Sequence, residues 1–291
     1  MLPPRLAAAV PFVFVFLWST GFIGAKYGLP HAGPLSFLLV RYALVVGLLL
    51  ALVAATRAAW PKDRRAWFHI GVSGVMIHGL YLGGVFTAIG AGLPAGIAAL
   101  IVGLQPILTA FGAAAWLGER VVVRQWIGLA LGLAGVTLVL AGKGLLQGDA
   151  PSAPMLVPIV VALLGITVGT LYQKRFCPHF DLRTGAVLQF VPAALATWLF
   201  SLGVEPFRVE WSGEFVFALV WLSLVLSIGA ISLLNLLIRQ GSAVNVARLF
   251  FLTPPTTALT AWGLFGESLG ALALAGMGIA VAGVYLSRAS S

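Results

Sequence analysis

AALIVGLQPILTAFGAAAWLGERVVVRQWIGLALGLAGVTLV, from Ala98 to Val139, holds two apolar runs separated by the short polar break Gly118-Glu119-Arg120, with Pro106 inside the first run. Upstream the apolar character continues: from Ala66 to Gly118 there are 53 residues without one Asp, Glu, Lys or Arg. As one helix, at about 1.5 Å per residue, this stretch would reach about 80 Å, far beyond a hydrocarbon core of about 30 Å. The chain must therefore turn, and Gly90-Ala91-Gly92-Leu93-Pro94 is where it can. Backbone groups inside lipid must be paired within their own segment, so the spans are helices.

The same reading applied outward places apolar spans near 7–27, 34–55, 67–89, 94–117, 124–142, 154–173, 183–203, 213–238, 242–266 and 269–287. The expected fold is an all-α integral membrane protein of ten transmembrane helices, with no soluble domain hanging from it. Composition agrees: the 291 residues are 60% hydrophobic and 9% charged. A soluble domain carries roughly 25% charge, so a water-soluble fold and a disordered chain are both excluded. The net charge of +9 does not signal nucleic acid here, because the basic residues sit in short loops between apolar runs. Arg5 precedes an apolar stretch with no small-residue cleavage site after it, which reads as a retained first helix. The single cysteine, Cys177, excludes an intramolecular disulfide.

Orientation follows from the cations. If alternate loops share a side with the N-terminus, that side holds Arg5, Arg57, Lys62, Arg64, Arg65, Arg120, Arg124, Lys174, Arg175, Arg183, Arg239 and Arg288, and the other holds Lys26, Lys143 and Arg208. This bias places both termini in the cytoplasm.

One constant offset of 148 residues aligns the two halves. Leu104, Pro106, Thr109 and Ala110 match Leu252, Pro254, Thr257 and Ala258; Gly118-Glu119 matches Gly266-Glu267; Gly128 and Ala134-Gly135-Val136 match Gly276 and Ala282-Gly283-Val284. Gly21, Lys26 and Pro30-His31 match Gly169, Lys174 and Pro178-His179. Five helices per copy is an odd number, so residues 1–148 and 149–291 are expected to form two repeats of opposite orientation around a central cavity. Inverted repeats are how many secondary transporters obtain two alternative openings.

The stretch Ala98–Val139 and its second copy, Ala243 to Leu286, with their paired Pro…Gly-Glu…Gly…Gly pattern, resemble the signature half of the EamA family of the drug/metabolite transporter superfamily. The resemblance covers essentially the whole chain. It implies a ten-helix inverted-repeat fold, a cavity lined mainly by helices 1, 3, 4, 6, 8 and 9, a small-molecule substrate, and export across a bacterial cytoplasmic membrane. Within the family the chain is similar to the bacterial amino-acid exporters called YddG. One departure is Pro254-Pro255, where the first half has Pro106-Ile107; a further kink there would make the halves unequal.

Candidate functional residues are polar or helix-breaking groups at membrane depth. Pro106 and Pro254, with Pro255, are expected to break their helices near mid-membrane, leaving the carbonyls of Val102 and Phe250 unpaired; symmetric breaks point to a transport site, the alternative being a packing kink patched by neighbours. Gly118-Glu119 and Gly266-Glu267 read as structural: a left-handed glycine ends one helix, and the glutamate favours the dipole of the next. His78, Tyr81, Leu82 and Val85 share one face of their helix by i, i+3, i+4 spacing. His78 and Tyr81 are candidates for lining a cavity, although a lone histidine on an apolar face is more often a satisfied core group. Gln105 and Asn235 are placed to bond either a substrate or another helix. Arg41 and Arg248, the formal charges within spans, either snorkel or bind a carboxylate in two-pronged fashion. Trp18, off the interfacial belts, offers a flat surface or simply packs.

All eight acidic residues lie at loops or helix ends, whereas proton-driven carriers commonly use a carboxylate inside the membrane. The expectation is a facilitator or exchanger, with proton coupling through His78 as the lesser alternative. The substrate expected is a small metabolite, an amino acid with an apolar or aromatic side chain; a drug or other metabolite exporter and a lipid flippase are the alternatives. No H-E-x-x-H pair, G-x-S-x-G elbow or intramembrane aspartate pair is present, so no catalytic residue, metal or cofactor is expected. The partners are the substrate and the bilayer, with the single chain as the working unit.

Overall fold

The computed structural model describes residues 4–142, 152–177, 179–265 and 269–287. Each expected apolar run is helical where described: α1 (Pro4–Gly28), α2 (Pro34–Thr56), α3 (Arg64–Gly90), α4 (Ala95–Val102), α5 (Gln105–Gly112), α6 (Val123–Gly142), α7 (Ala153–Phe176), α8 (Leu182–Ser201), α9 (Gly213–Gln240), α10 (Ala243–Ala247), α11 (Thr253–Phe265) and α12 (Ala271–Leu286). Among the described residues seven helical stretches are long and apolar enough to cross a membrane, and Ala9–Gly21 and Ala271–Leu286 are shorter apolar helices. No strand is present among the described residues, apart from one isolated bridge between Ala32 and Val209.

Polar residues at the loop ends start these helices. Asp63, Asp181, Ser212 and Ser242 each accept a hydrogen bond from a backbone N–H of the first turn of α3, α8, α9 and α10, satisfying donors that helix geometry leaves free. The start of α2 is capped from a distant segment: Glu205 accepts from the N–H and Oγ of Ser36, both at 2.8 Å, and from the Leu35 N–H at 3.2 Å. The backbone joins the same two loops, with the Glu210 N–H on the His31 carbonyl at 2.7 Å.

Both prolines stand at complete interruptions. α4 ends at Val102, the chain turns through Gly103-Leu104, and α5 restarts with Pro106 in its first turn, where a missing N–H costs nothing. The second break is longer: α10 has five residues, a 3₁₀ segment follows over Arg248–Leu252, and α11 carries Pro254-Pro255 in its first turn. The halves are therefore unequal here. One expectation is corrected: the Phe250 carbonyl is not orphaned, because the tighter 3₁₀ turn lets the Thr253 N–H reach it.

Three π segments were not legible beforehand: α5 continues as a π-helix over Ala113–Leu117, up to Gly118, and the other two lie within longer helices. α3 is a π-helix over Val75–Leu82 and α9 over Leu222–Ala230. Shifted by the 148-residue offset, the first covers 223–230, so the two widened segments coincide except for one residue.

α6 and α12 pack backbone to backbone. A Cβ placed on Gly276 would sit 2.6 Å from the Val139 nitrogen and 2.7 Å from the Gly135 oxygen, and Gly128, Gly135 and Gly283 are equally closed. The matches Gly128/Gly276 and Gly135/Gly283 are thus the small-residue seam of one helix pair. Gly118 is left-handed, φ 68°, and ends its helix as expected. Glu119 is a correction: α6 begins only at Val123, and Glu119 Oε1 instead accepts from the Ala243 N–H at 3.0 Å, capping α10 across the repeat boundary. Pro178 and Gly266-Glu267 lie outside the described residues.

Candidate functional site

A cavity of about 50 Å³ lies among α1, α2, α3 and α9, lined by Trp18, Gly21, Ala25, Arg41, Tyr81, Leu82, Val85, Phe86, Ile89, Leu222, Leu226 and Ile231. It has room for a few waters, so a substrate would have to widen it. The π segments of α3 and α9 both contribute to its wall, through Tyr81 and Leu82 on one side and Leu222 and Leu226 on the other. Single-turn π distortions commonly mark functional places in helices.

Three of the residues singled out from sequence meet here. Trp18 and Tyr81 lie nearly parallel, ring centroids 6.2 Å apart, and Phe250 of the second helix break meets Trp18 edge-on at 5.2 Å, with Phe14 closing the cluster. The break in the second half is therefore in direct contact with the cavity wall. Arg41 is 3% exposed, and its Nε donates to Ser227 Oγ at 2.9 Å. Snorkelling does not describe it, since a guanidinium that reached the interface would not be enclosed on this scale.

The others go elsewhere. His78 is fully buried, stacked on Phe190 with centroids 4.1 Å apart, and neither ring nitrogen has a hydrogen-bond partner among the described residues. Tyr81, Leu82 and Val85 line the cavity as the expected face requires, but His78, in the same π segment, is not among the lining residues. Its carbonyl accepts from Tyr42 Oη at 2.8 Å. Gln105 is buried beside a separate small void with Thr170, Ile238, Ala243, Val246 and Ala247. Arg248 opens the 3₁₀ segment, half-buried, with Nη1 toward the Val284 carbonyl at 3.5 Å.

Asn235 belongs to a closed ring of amides. Gln173 Nε2 donates to Asn235 Oδ1 at 2.9 Å, Asn235 Nδ2 to Gln189 Oε1 at 3.2 Å, and Gln189 Nε2 to Gln173 Oε1 at 2.9 Å and to Ser73 Oγ at 3.1 Å. Sequence reasoning had Asn235 but not Gln173, Gln189 or Ser227; a census of every amide and hydroxyl inside the spans would have found them. On the far side of the cavity, His31 Nε2 lies 3.0 Å from Glu214 Oε2, and His31 Nδ1 lies 3.8 Å from Glu210 Oε2.

Helices apolar on nearly every side, enclosing a cavity with one guanidinium and three aromatic side chains, define a multi-pass membrane protein with an internal cavity. The EamA-like transporter family model matches residues 6–141 and again residues 154–289. The chain belongs to the EamA-like transporter family, and its business is transport, not catalysis. It is 29% identical to the uncharacterized transporter YvbV of Bacillus subtilis over 100% of this chain and 94% of that protein. It is 25% identical to the inner membrane transporter YedA of Escherichia coli, covering 94% and 88% of the two chains. It is also 25% identical to a Salmonella typhimurium protein named "Probable amino-acid metabolite efflux pump", over 94% and 91%. A solved structure superposes with a TM-score of 0.78 at 20% identity, over 98% of this chain and 96% of that one, a likeness of fold.

Proposed function

We propose that the chain is a secondary carrier, a facilitator or exchanger, that moves small amino-acid-like metabolites out of the cell by alternating access. In this reading residues 1–148 and 149–291 are two inverted five-helix repeats. The ten crossings leave both termini in the cytoplasm, and the single chain is the working unit. Trp18, Arg41 and Tyr81 form the substrate site, and Pro106 and Pro254-Pro255 mark the hinges. The observation that carries the reading is the cavity, walled by matching π segments of the two halves and holding a buried guanidinium. With this orientation it lies in the outer half of the membrane. The amide ring then closes the cytoplasmic side, and the His31–Glu214 contact ties the outer loops. The outward direction and the amino-acid class draw support from the name of the Salmonella relative.

Counterflow into proteoliposomes, against a panel of amino acids, a drug cation, a nucleoside and a fluorescent lipid, tests this reading. Leu226→Trp, which fills the cavity, should slow exchange at least tenfold, while Leu224→Trp on the exposed face of the same helix should leave it unchanged. Equal rates for both variants would remove the site, and activity confined to the lipid would replace the reading with flippase action.

A further inference from the structure

The charge of the cavity is unbalanced. Arg41 lines it, and beyond the Nε bond to Ser227 its guanidinium nitrogens have no hydrogen-bond partner among the described residues. Ion pairs among the described residues involve His31 with Glu210 and Glu214, and Arg183 with Asp181, all in loops or the first turns of helices. Among the described residues no acidic side chain lines the cavity. Burying a cation without a counter-charge is costly, and among the described residues no carboxylate in the wall offsets it.

We propose that the cavity takes a small organic monoanion: a carboxylate held by Arg41, on an apolar or aromatic body lying against Trp18, Val85, Leu222 and Leu226, with no ammonium group attached. The inference rests on the carrier reading above and narrows its substrate class. A guanidinium presents paired donors in one plane to the two oxygens of a carboxylate. An anion leaves the filled cavity neutral. A zwitterion brings an ammonium that finds no carboxylate there, so site and ligand together keep a net positive charge in a low-dielectric interior. An amine puts two like charges side by side. The preferred compounds are therefore the deaminated counterparts of apolar amino acids, 2-oxo or 2-hydroxy acids, ahead of the amino acids themselves.

The test uses the purified full-length chain in proteoliposomes at pH 7.5, with counterflow of phenylpyruvate, phenylalanine and phenethylamine, which share a ring and differ in charge. Phenylpyruvate should exchange with a KM at least tenfold below that of phenylalanine, and phenethylamine should not exchange. Arg41→Gln should raise the phenylpyruvate KM at least tenfold; Arg41→Lys, which keeps the charge and loses the planar fork, should fall between. Circular dichroism and detergent monodispersity confirm that each variant folds. If Arg41→Gln fails there, Arg41→Lys and the wild-type ranking decide. Phenylalanine exchanging as well as phenylpyruvate, or better, overturns the proposal and leaves the carrier reading standing. Phenylpyruvate exchange indifferent to Arg41 in a folded variant also overturns it. Exchange of none of the three compounds overturns the carrier site together with it.

Discussion

At the scale of single residues, the amide ring shows how a polar group is made tolerable in an apolar bundle. Gln173, Gln189 and Asn235 come from α7, α8 and α9, and each gives one N–H to the next and accepts one in return. All three are at most 1% exposed, where an unmade hydrogen bond costs about 1–3 kcal/mol. Removing one member strands the other two. Gln189→Leu, which also deprives Ser73 of its donor, is expected to cost about 2 kcal/mol. That lies above the roughly 0.6 kcal/mol typical of a single interhelical bond in lipid, because several bonds go at once. In a chain of this size the loss should lower the unfolding temperature in detergent by roughly 5 °C, followed by tryptophan fluorescence. Gln125→Leu is the comparison, because the bonds Gln125 makes among the described residues are to backbone, at the Val122 N–H and the Ser287 carbonyl. A Gln189→Leu protein that melts with wild type would show that the ring contributes nothing to holding the three helices together.

At the scale of elements, helix positions were legible and helix geometry was not. Apolar length located the helical runs to within a few residues, because the bilayer sets the length and few charges interrupt it. The proline breaks were legible for a local reason, since a missing N–H acts wherever it stands. The π segments were not, because a widened turn depends on what packs against it; Val75–Leu82 and Leu222–Ala230 carry no residue that marks them. His78, within the first of them, packs on Phe190 and does not line the cavity. Glu119 was misread likewise: its partner, the Ala243 N–H, is 124 residues away, beyond any local pattern. The glycine matches, cheap as sequence signals in a chain with 35 glycines, proved physical in the α6–α12 seam. Gly276→Ala would push a methyl against the Val139 nitrogen and the Gly135 oxygen, whereas Gly278, two residues on, faces open space. Overpacking a closed seam costs about 1–3 kcal/mol, while an unobstructed Gly→Ala change in a helix is worth up to about 1 kcal/mol in the other direction. The two single variants should therefore shift the unfolding midpoint in opposite directions. A common direction would mean that α6 and α12 do not meet through these glycines.

For the whole molecule, two copies of a plan with an odd number of crossings must face opposite ways, and the loops offer a direct check. Lys62 sits in the connection between α2 and α3, and Arg208 in the corresponding connection between α8 and α9; both are exposed. Opposed repeats put Lys62 in the cytoplasm and Arg208 outside, as the cation bias also requires. The wild-type chain is a quiet background for thiol chemistry, because its one cysteine, Cys177, is 5% exposed and burial pushes the thiol up to about 11. Only the thiolate reacts, so little of it is available at pH 7.5. A membrane-impermeant maleimide applied to intact cells should therefore leave wild type and Lys62→Cys unlabelled and modify Arg208→Cys. Permeabilising the cells should add Lys62→Cys to the labelled set. If both variants labelled from the same side, the repeats would be parallel. A pocket between parallel copies has no second conformation obtained by exchanging their roles, so alternating access would then lose the symmetry that makes its two states close in energy.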